Sequence, residues 1–200
     1  MRLPKLAIII ILLPLAVILW YQWSYPDKWG HILYPIEYKG LIIGASKKYS
    51  VDPYLISAII YEESKFNPSS RSKVGAIGLM QIMPDTGRWI AEKQGRRFTV
   101  DDLYHPEANI DMGCWYFNFL RAKYKDEKLA LAAYNSGDKN VDRWLKAGEH
   151  STVDEMIASI PYKETRTFVQ RVLKTKKLYE KHYPGAFKEP PGASKKPVGQ

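Results

Sequence analysis

The chain has 200 residues and a formal net charge of +9, and hydrophobic residues make up 46% of it. This length and composition suit one folded domain and exclude a chain that is disordered throughout. A single cysteine excludes an intrachain disulfide, and the four scattered histidines lack the spacing of a zinc site, so we expect neither metal nor cofactor. The basic excess suits anionic partners or a plain solvated surface. No nucleic-acid-binding motif accompanies it, and we expect no nucleic-acid partner.

The N-terminal segment has the pattern of a membrane anchor. Arg2 and Lys5 precede an apolar run over residues 6–20, which continues into an aromatic belt over residues 20–23. Counted to the end of that belt, the run comes close to the lower limit of roughly 17 residues for a spanning helix. A cleaved signal peptide begins in the same way, but no small-residue cleavage site follows here. We therefore predict an uncleaved, single-pass signal-anchor over residues 1–27 in the cytoplasmic membrane, with the residues from about 28 onward outside it.

The remainder is predicted to be a spacer (28–37), a mainly α-helical domain (38–183) and a basic Pro/Gly tail (184–200) that we expect to be disordered. No stretch alternates in the manner of a half-buried strand, and the Ser- and Gly-rich stretch 68–81 is expected to form an ordered loop with room for a small hairpin. Asp52 is the predicted cap of the second helix. The predicted helices cover residues 35–49, 53–65, 84–93, 106–124, 127–134, 140–146, 153–158 and 162–183.

Glu63 lies in the middle of the apolar side of the second helix. On a helical wheel the centre of that side lies within about 20° of Glu63, whereas Glu62 falls near the rim and Ser57 faces away. The apolar residues concerned are Leu55, Ile56, Ile59, Ile60 and Phe66. A carboxylate in this position either pairs with a cation or keeps its proton to a higher pH, and the second outcome produces a general acid. In the structural alternative, Glu63 caps a buried backbone group or pairs with an arginine.

Five sequence blocks follow one another in a characteristic order. They are Glu63–Pro68 (ESKFNP), Gly75–Pro84 (GAIGLMQIMP), Asn109–Ile110 with Gly113 and Tyr116, Ala132–Gly137 (AAYNSG), and Ile160–Arg166 (IPYKETR). Each block alone is a weak signal. Together, over residues 38–180, they resemble the catalytic domain of lytic transglycosylases of the soluble-lytic-transglycosylase type, which belong to glycoside hydrolase family 23 and are relatives of goose-type lysozyme. Phe66, where tryptophan is also common, and Ser136, where small residues vary, are mild departures.

The resemblance implies a lysozyme-like fold and an enzyme of the bacterial cell wall whose partner is the glycan strand of peptidoglycan. It implies Glu63 as the catalytic acid and then the base. Ser72 stands where the family has a serine near that carboxylate and the substrate acetamide, and Tyr162 is expected to hydrogen-bond close to Glu63. Further substrate contacts are implied for the cleft-lining residues Met80, Gln81 and Met83, and for Tyr134 and Asn135 near the cleaved bond.

Only one carboxylate lies at the centre of these blocks, whereas most glycosidases use two. The resemblance implies that the N-acetyl group of N-acetylmuramic acid stabilises the oxocarbenium-like state before the 6-hydroxyl of the same sugar attacks. The implied reaction cleaves the β-1,4 bond between N-acetylmuramic acid and N-acetylglucosamine and leaves a 1,6-anhydro end. Two alternatives stay open, a lysozyme-type hydrolase and an inactive wall-binding module. The basic closing helix and tail are expected to meet anionic wall polymers or lipid headgroups.

Overall fold

The computed structural model of the protein describes residues 13–14, 16–17, 20, 33–148 and 150–188. Chain contacts divide it into two units, Met1–Pro35 and Ile36–Gln200. The predicted anchor over residues 1–27 falls mainly on residues outside those described. Among the residues that are described, no helix combines the length and apolarity that a bilayer crossing requires.

The second unit is built from α-helices, as predicted. Within residues 36–148 and 150–188 there is no β-strand, and the only sheet-like pairings are isolated bridges of Ile77 with Arg71 and with Ile82. A 3₁₀ helix, Val100–Tyr104, precedes α4. The α-helices are α1 (Lys39–Tyr49), α2 (Pro53–Ser64), α3 (Pro84–Lys93), α4 (Pro106–Tyr124), α5 (Glu127–Ser136), α6 (Asp138–Ala147), α7 (Val153–Ser159) and α8 (Lys163–His182).

Local signals define both ends of α2. The Asp52 carboxylate accepts a hydrogen bond from the backbone N–H of Tyr54 at 2.9 Å, and proline occupies the first helical position. The helix stops where Lys65 adopts a left-handed conformation with φ of 53°. The Ser64 hydroxyl lies 2.8 Å from the carbonyl oxygen of Leu79, so the end of the helix is tied to the loop that follows. The predicted start and end of this helix are therefore confirmed to within one residue.

Helix α2 lies at the centre of the unit, where it packs mainly against α8 and also against α1. Its large, fully buried apolar side chains are Leu55, Ile56, Ile59 and Ile60. Burying one such side chain contributes about 1.5–3 kcal/mol. The prediction that Ser57 faces away from the core is wrong, because α2 is covered on nearly all sides. Ser57 is fully buried, and its hydroxyl donates to the carbonyl of Pro53 at 2.8 Å.

The start of α1 and part of the tail differ from the sequence-based expectation. Helix α1 begins at Lys39 rather than residue 35, because Tyr38 adopts a left-handed conformation. The tail was expected to be disordered from residue 184, yet the chain continues as a turn to residue 188. In this turn the ring of Phe187 packs edge-on against Tyr54, with 4.9 Å between centroids. The Tyr54 hydroxyl also donates to the carbonyl of Tyr183 at 2.6 Å, so the chain is anchored on α2.

Candidate active site

Asn109 organises the loop that follows α2. Its side chain is buried, and its amide nitrogen donates to the carbonyls of Ile77 at 2.9 Å and Leu103 at 2.8 Å. Its Oδ1 accepts from the backbone N–H of Met80 at 2.7 Å. One carboxamide thus satisfies two carbonyls and one amide that would be costly to bury unpaired. The loop is thereby fixed relative to α4 and the 3₁₀ helix.

Gly78 and Gln81 determine the shape of this loop. Both have positive φ angles, 81° and 49°. A Cβ atom on Gly78 would lie 2.2 Å from the carbonyl oxygen of Leu103, so only glycine fits. The Gln81 side-chain nitrogen donates to the carbonyls of Gly78 at 2.8 Å and Ser70 at 3.2 Å. That nitrogen therefore supports the loop and leaves the carboxamide oxygen for a ligand.

Glu63 occupies the last turn of α2 and is partly buried. In the described part of the chain, its carboxyl group makes neither a hydrogen bond nor an ion pair. Burial raises the pKa of Glu63 from 4.5 to about 8; the charge of Arg171 lowers this pKa, whereas the charges of Glu164 and Glu62 raise it. At neutral pH the carboxyl group is therefore mostly protonated, which is the state that a general acid requires.

Glu62, the neighbouring carboxylate, takes the partners that Glu63 lacks. Thr175 donates its hydroxyl to Glu62 Oε1 at 2.7 Å, and Arg171 Nε lies 3.3 Å from Oε2. Lys65 Nζ lies 3.6 Å from the same oxygen. The arginine of the structural alternative thus belongs to Glu62, which joins α2 to α8. The two adjacent glutamates differ because Glu62 makes direct contacts with Arg171 and Thr175 of α8, whereas Glu63 senses the charge of Arg171 without pairing with it.

Tyr134 connects Glu63 to a cleft. Its hydroxyl donates to the carbonyl of Met80 at 2.7 Å, and burial together with the charge of Glu63 raises the pKa of Tyr134 well above its usual range. A cavity of about 260 Å³ opens beside this tyrosine. The cavity is lined by Gln81, Ile82, Met83, Thr86, Tyr116, Tyr134, Asn135, Ser136 and Gly137. Four of the residues predicted to contact substrate are thus brought together: Gln81, Met83, Tyr134 and Asn135.

The other three predicted contact residues lie elsewhere. Met80 is fully buried and packs closely on Gly113, where an added Cβ would lie 2.4 Å from the Met80 sulfur. The Met80 side chain is therefore not part of the cavity lining that was expected of it. Ser72 closes a turn, in which its hydroxyl oxygen accepts from the backbone N–H of Ala76 at 2.9 Å. Tyr162 is 49% exposed and sets its ring edge-on against Trp144, 5.2 Å away.

Sequence reasoning missed several residues that shape the site. Thr86 and Tyr116 line the cavity, Asn109 supports the loop, and Glu164 and Arg171 set the electrostatic environment of the acid. Asn109 and Tyr116 lie within the third block of the resemblance, which by itself implies no role for either side chain. Over the described residues, no three His, Cys, Asp or Glu side chains are arranged to hold a metal ion.

An α-helical domain with an unpaired glutamic acid near a tyrosine-lined cleft is typical of lysozyme-like proteins. The model of the family described as the Transglycosylase SLT domain matches residues 40–157. The chain belongs to this family, and the resemblance stated from its sequence is confirmed.

Relatives and solved structures agree with this assignment. The chain is 34% identical over 168 residues to the soluble lytic murein transglycosylase of Salmonella typhimurium, covering 78% of this chain and 25% of that protein. It is 30% identical over 174 residues to the membrane-bound lytic murein transglycosylase C of Actinobacillus pleuropneumoniae, covering 75% of this chain and 48% of that protein. The chain therefore spans about a quarter of the length of the soluble relative and half that of the membrane-bound one.

Two crystal structures share the fold. The lytic transglycosylase Slt of Pseudomonas aeruginosa, an inactive mutant, matches with a TM-score of 0.70 and 34% identity, covering 76% of this chain and 25% of that one. The 70 kDa soluble lytic transglycosylase of Escherichia coli matches with a TM-score of 0.71 and 30% identity over the same shares. The mainly α, lysozyme-like fold predicted from the sequence is thus confirmed for the second unit.

Proposed function

We propose that this chain is a lytic transglycosylase that cleaves the glycan strands of peptidoglycan between N-acetylmuramic acid and N-acetylglucosamine. The observation that carries the proposal is the division of roles between two adjacent glutamates. Glu62 pairs with Arg171 of α8 and with Lys65, and Glu63 remains unpaired and protonated near neutral pH. The family and its relatives, named as lytic murein transglycosylases, supply the substrate class.

In the proposed reaction, Glu63 first donates its proton to the glycosidic oxygen as the bond to the anomeric carbon of N-acetylmuramic acid breaks. The N-acetyl group of that sugar stabilises the positive charge that develops. The 6-hydroxyl of the same sugar then attacks the anomeric carbon and gives its proton to the Glu63 carboxylate, which restores the acid. No water is consumed, because the nucleophile is intramolecular and is held near attack distance.

The residues around the cleft are proposed to hold the strand in position for this reaction. Gln81, Met83, Tyr134 and Asn135 share one cavity wall, which suits contacts to the sugars next to the cleaved bond. Tyr134 stays protonated at neutral pH and is fixed by its bond to a loop carbonyl. Once a strand is bound, Ser72 is proposed to approach the substrate acetamide, and Tyr162 is proposed to approach Glu63.

Substitution of the two glutamates tests the assignment of the acid. We expect Glu63→Gln to bind glycan but to lose cleavage, because an amide cannot donate the proton. Glu62→Gln is the matched control, with the same change one residue away, and we expect it to keep most of the activity per folded molecule. Release of soluble fragments from purified peptidoglycan is the measurement. Cleavage by Glu63→Gln at the wild-type rate would contradict the proposal.

Product analysis separates the proposed reaction from its two alternatives. Mass spectrometry of the fragments should find 1,6-anhydro-N-acetylmuramic acid ends, which are lighter by one water than the ends left by a hydrolase. Reducing ends in their place would indicate a lysozyme-type hydrolase that uses the same acid. Binding of glycan without any fragment release by the wild-type chain would indicate an inactive wall-binding module.

We also propose that residues 1–27 anchor the enzyme in the cytoplasmic membrane, with residues 28–37 as a spacer and the catalytic domain on the outer side. The membrane-bound name of one relative and the apolar run behind two basic residues support this. Full-length protein should stay in the membrane fraction after an alkaline carbonate wash, and external protease should digest the domain. A mature N-terminus beyond residue 23 would show instead that the segment is a cleaved signal peptide.

The exposed cations of α8 are proposed to bring the domain to anionic wall polymers or headgroups. Lys163, Lys174 and Lys177 are exposed on this helix. Binding of the isolated chain to vesicles with anionic lipid should weaken as salt is raised, because the contact is electrostatic. Salt-independent binding would contradict this part of the proposal.

A further inference from the structure

Four aromatic rings from two helices gather beyond the candidate active site. Trp89 comes from α3, and Trp115, Tyr116 and Phe119 come from α4; we name this group the aromatic platform. The rings of Trp115 and Phe119 are stacked, with 5.7 Å between centroids and 7° between planes. Trp89 stands edge-on to Phe119 at 5.1 Å and to Trp115 at 5.4 Å. The four rings therefore form one rigid group held by aromatic contacts.

The platform faces an open cavity of about 500 Å³ rather than the core. Trp89, Tyr116 and Phe119 line it, and Phe119 is 38% exposed. Trp89, Trp115 and Tyr116 are half-buried, so the group keeps apolar surface in contact with solvent, and such a patch commonly marks a surface where a ligand binds. Its polar rim consists of Asp85, Thr86, Asp138 and Lys139.

This cavity continues the cleft of the candidate active site. Thr86 and Tyr116 line both cavities, so a chain that leaves the Tyr134 end passes directly over the platform. Burial raises the pKa of Tyr116 to about 12, so its hydroxyl is a hydrogen-bond donor at neutral pH at the junction of the two cavities. A linear polymer held in the first cavity is thereby guided into the second.

From this continuity we infer that the aromatic platform is a further subsite that stacks pyranose rings of the glycan strand beyond the cavity beside Tyr134. The inference rests on the proposed function for the direction of the strand. A sugar ring presents C–H groups on its flat faces and hydroxyls at its edge, which matches aromatic faces surrounded by a rim of carboxylates, a hydroxyl and an amine. A stem peptide is less suited, because its amide groups would be desolvated on the rings without hydrogen-bond partners.

The subsite predicts a dependence on strand length. Trp89→Leu removes the aromatic face and keeps an apolar side chain, whereas Trp89→Phe keeps an aromatic face at the same position. For Trp89→Leu we expect the ratio of kcat/KM on long strands to kcat/KM on the shortest cleaved strand to fall about tenfold, a ratio equivalent to about 1.4 kcal/mol. Trp89→Phe should keep most of the wild-type ratio. Far-UV circular dichroism and thermal unfolding establish that each variant is folded.

Direct binding separates this inference from the proposed function. Calorimetric titration of a β-1,4-linked N-acetylglucosamine hexamer, with Glu63→Gln as background, should show about tenfold weaker binding when Trp89→Leu is added. Equal binding by both proteins would overturn the inference, as would a loss seen only with strands that carry stem peptides and not with peptide-free glycan. If Trp89→Leu weakens hexamer binding but the wild-type chain cleaves no peptidoglycan, the subsite is upheld and the proposed enzymatic function is refuted.

Discussion

Replacing Glu63 with glutamine changes the stability of the fold in a way that depends on pH. The partly buried carboxyl group has its pKa raised from 4.5 to about 8, mainly by burial. An unfolded chain ionises this group near pH 4.5, and the folded chain resists ionisation until about pH 8. The folded state is therefore progressively destabilised across this interval, and the destabilisation is constant above it. Glutamine has nearly the same shape and no charge, so Glu63→Gln removes the effect.

The size of this stability difference follows from the pKa shift of Glu63. A rise of the pKa from 4.5 to about 8 corresponds to about 5 kcal/mol of unfolding free energy at full ionisation. Below pH 4.5 the acid is neutral in both states, and Glu63→Gln should match the wild type closely. The variant should then gain stability relative to the wild type with each unit of pH. Above pH 8 it should be more stable by an amount approaching that figure.

Equilibrium unfolding in urea, followed by far-UV circular dichroism, measures this difference at intervals between pH 4 and pH 9. Glu62→Gln is the matched control, because Glu62 is paired with Arg171, Lys65 and Thr175. The cations of these pairs are more than half exposed, so losing the ion pairs costs only up to about 1 kcal/mol, and this variant should be slightly less stable than the wild type at neutral pH. Opposite effects from two adjacent and chemically identical substitutions are the signature of the proposed division of roles.

The reasoning is refuted if the stability difference between Glu63→Gln and the wild type stays flat from pH 4.5 to pH 8. Such a result would mean that the folded chain ionises Glu63 as readily as the unfolded chain does. The acid would then be mostly deprotonated at neutral pH, and the electrostatic support for its role in catalysis would be lost.

Three further predictions concern catalysis and the loop. kcat/KM should fall above about pH 8 as Glu63 ionises. Glu164→Gln should move this fall to lower pH, because the charge of Glu164 raises the pKa of Glu63. An unchanged pH profile of kcat/KM would contradict the contribution of Glu164. Tyr134→Phe leaves the buried carbonyl of Met80 without its donor and should lower the unfolding free energy by about 1–3 kcal/mol, measured in urea, along with kcat/KM. Gly78→Ala should lower the unfolding free energy by at least about 3 kcal/mol in the same assay, because φ is 81° and the new Cβ would lie 2.2 Å from a backbone carbonyl oxygen. A variant of wild-type stability would show that the loop can shift.

Much of the fold was predictable from near neighbours in sequence. The Asp52 cap, the proline that follows it and the 3.6-residue spacing of apolar side chains predicted α2 correctly. The burial of Ser57 was not predictable, because α2 is covered on nearly all sides and a helical wheel assumes one exposed face. The 3₁₀ helix Val100–Tyr104 is too short to have a periodic pattern. The packing of Phe187 on Tyr54 depends on a contact across the whole domain.

The sequence by itself determined the family, the helical class and the pair of glutamates that contains the proposed acid, because motifs and caps involve residues only a few positions apart. Only the tertiary structure decided which glutamate is unpaired. Thr175, which donates to Glu62, lies 113 residues further along the chain, and no local pattern reports such a contact. The tertiary structure also joined the Tyr134 cleft to the aromatic platform, because the rings come from two helices whose packing alone brings them together.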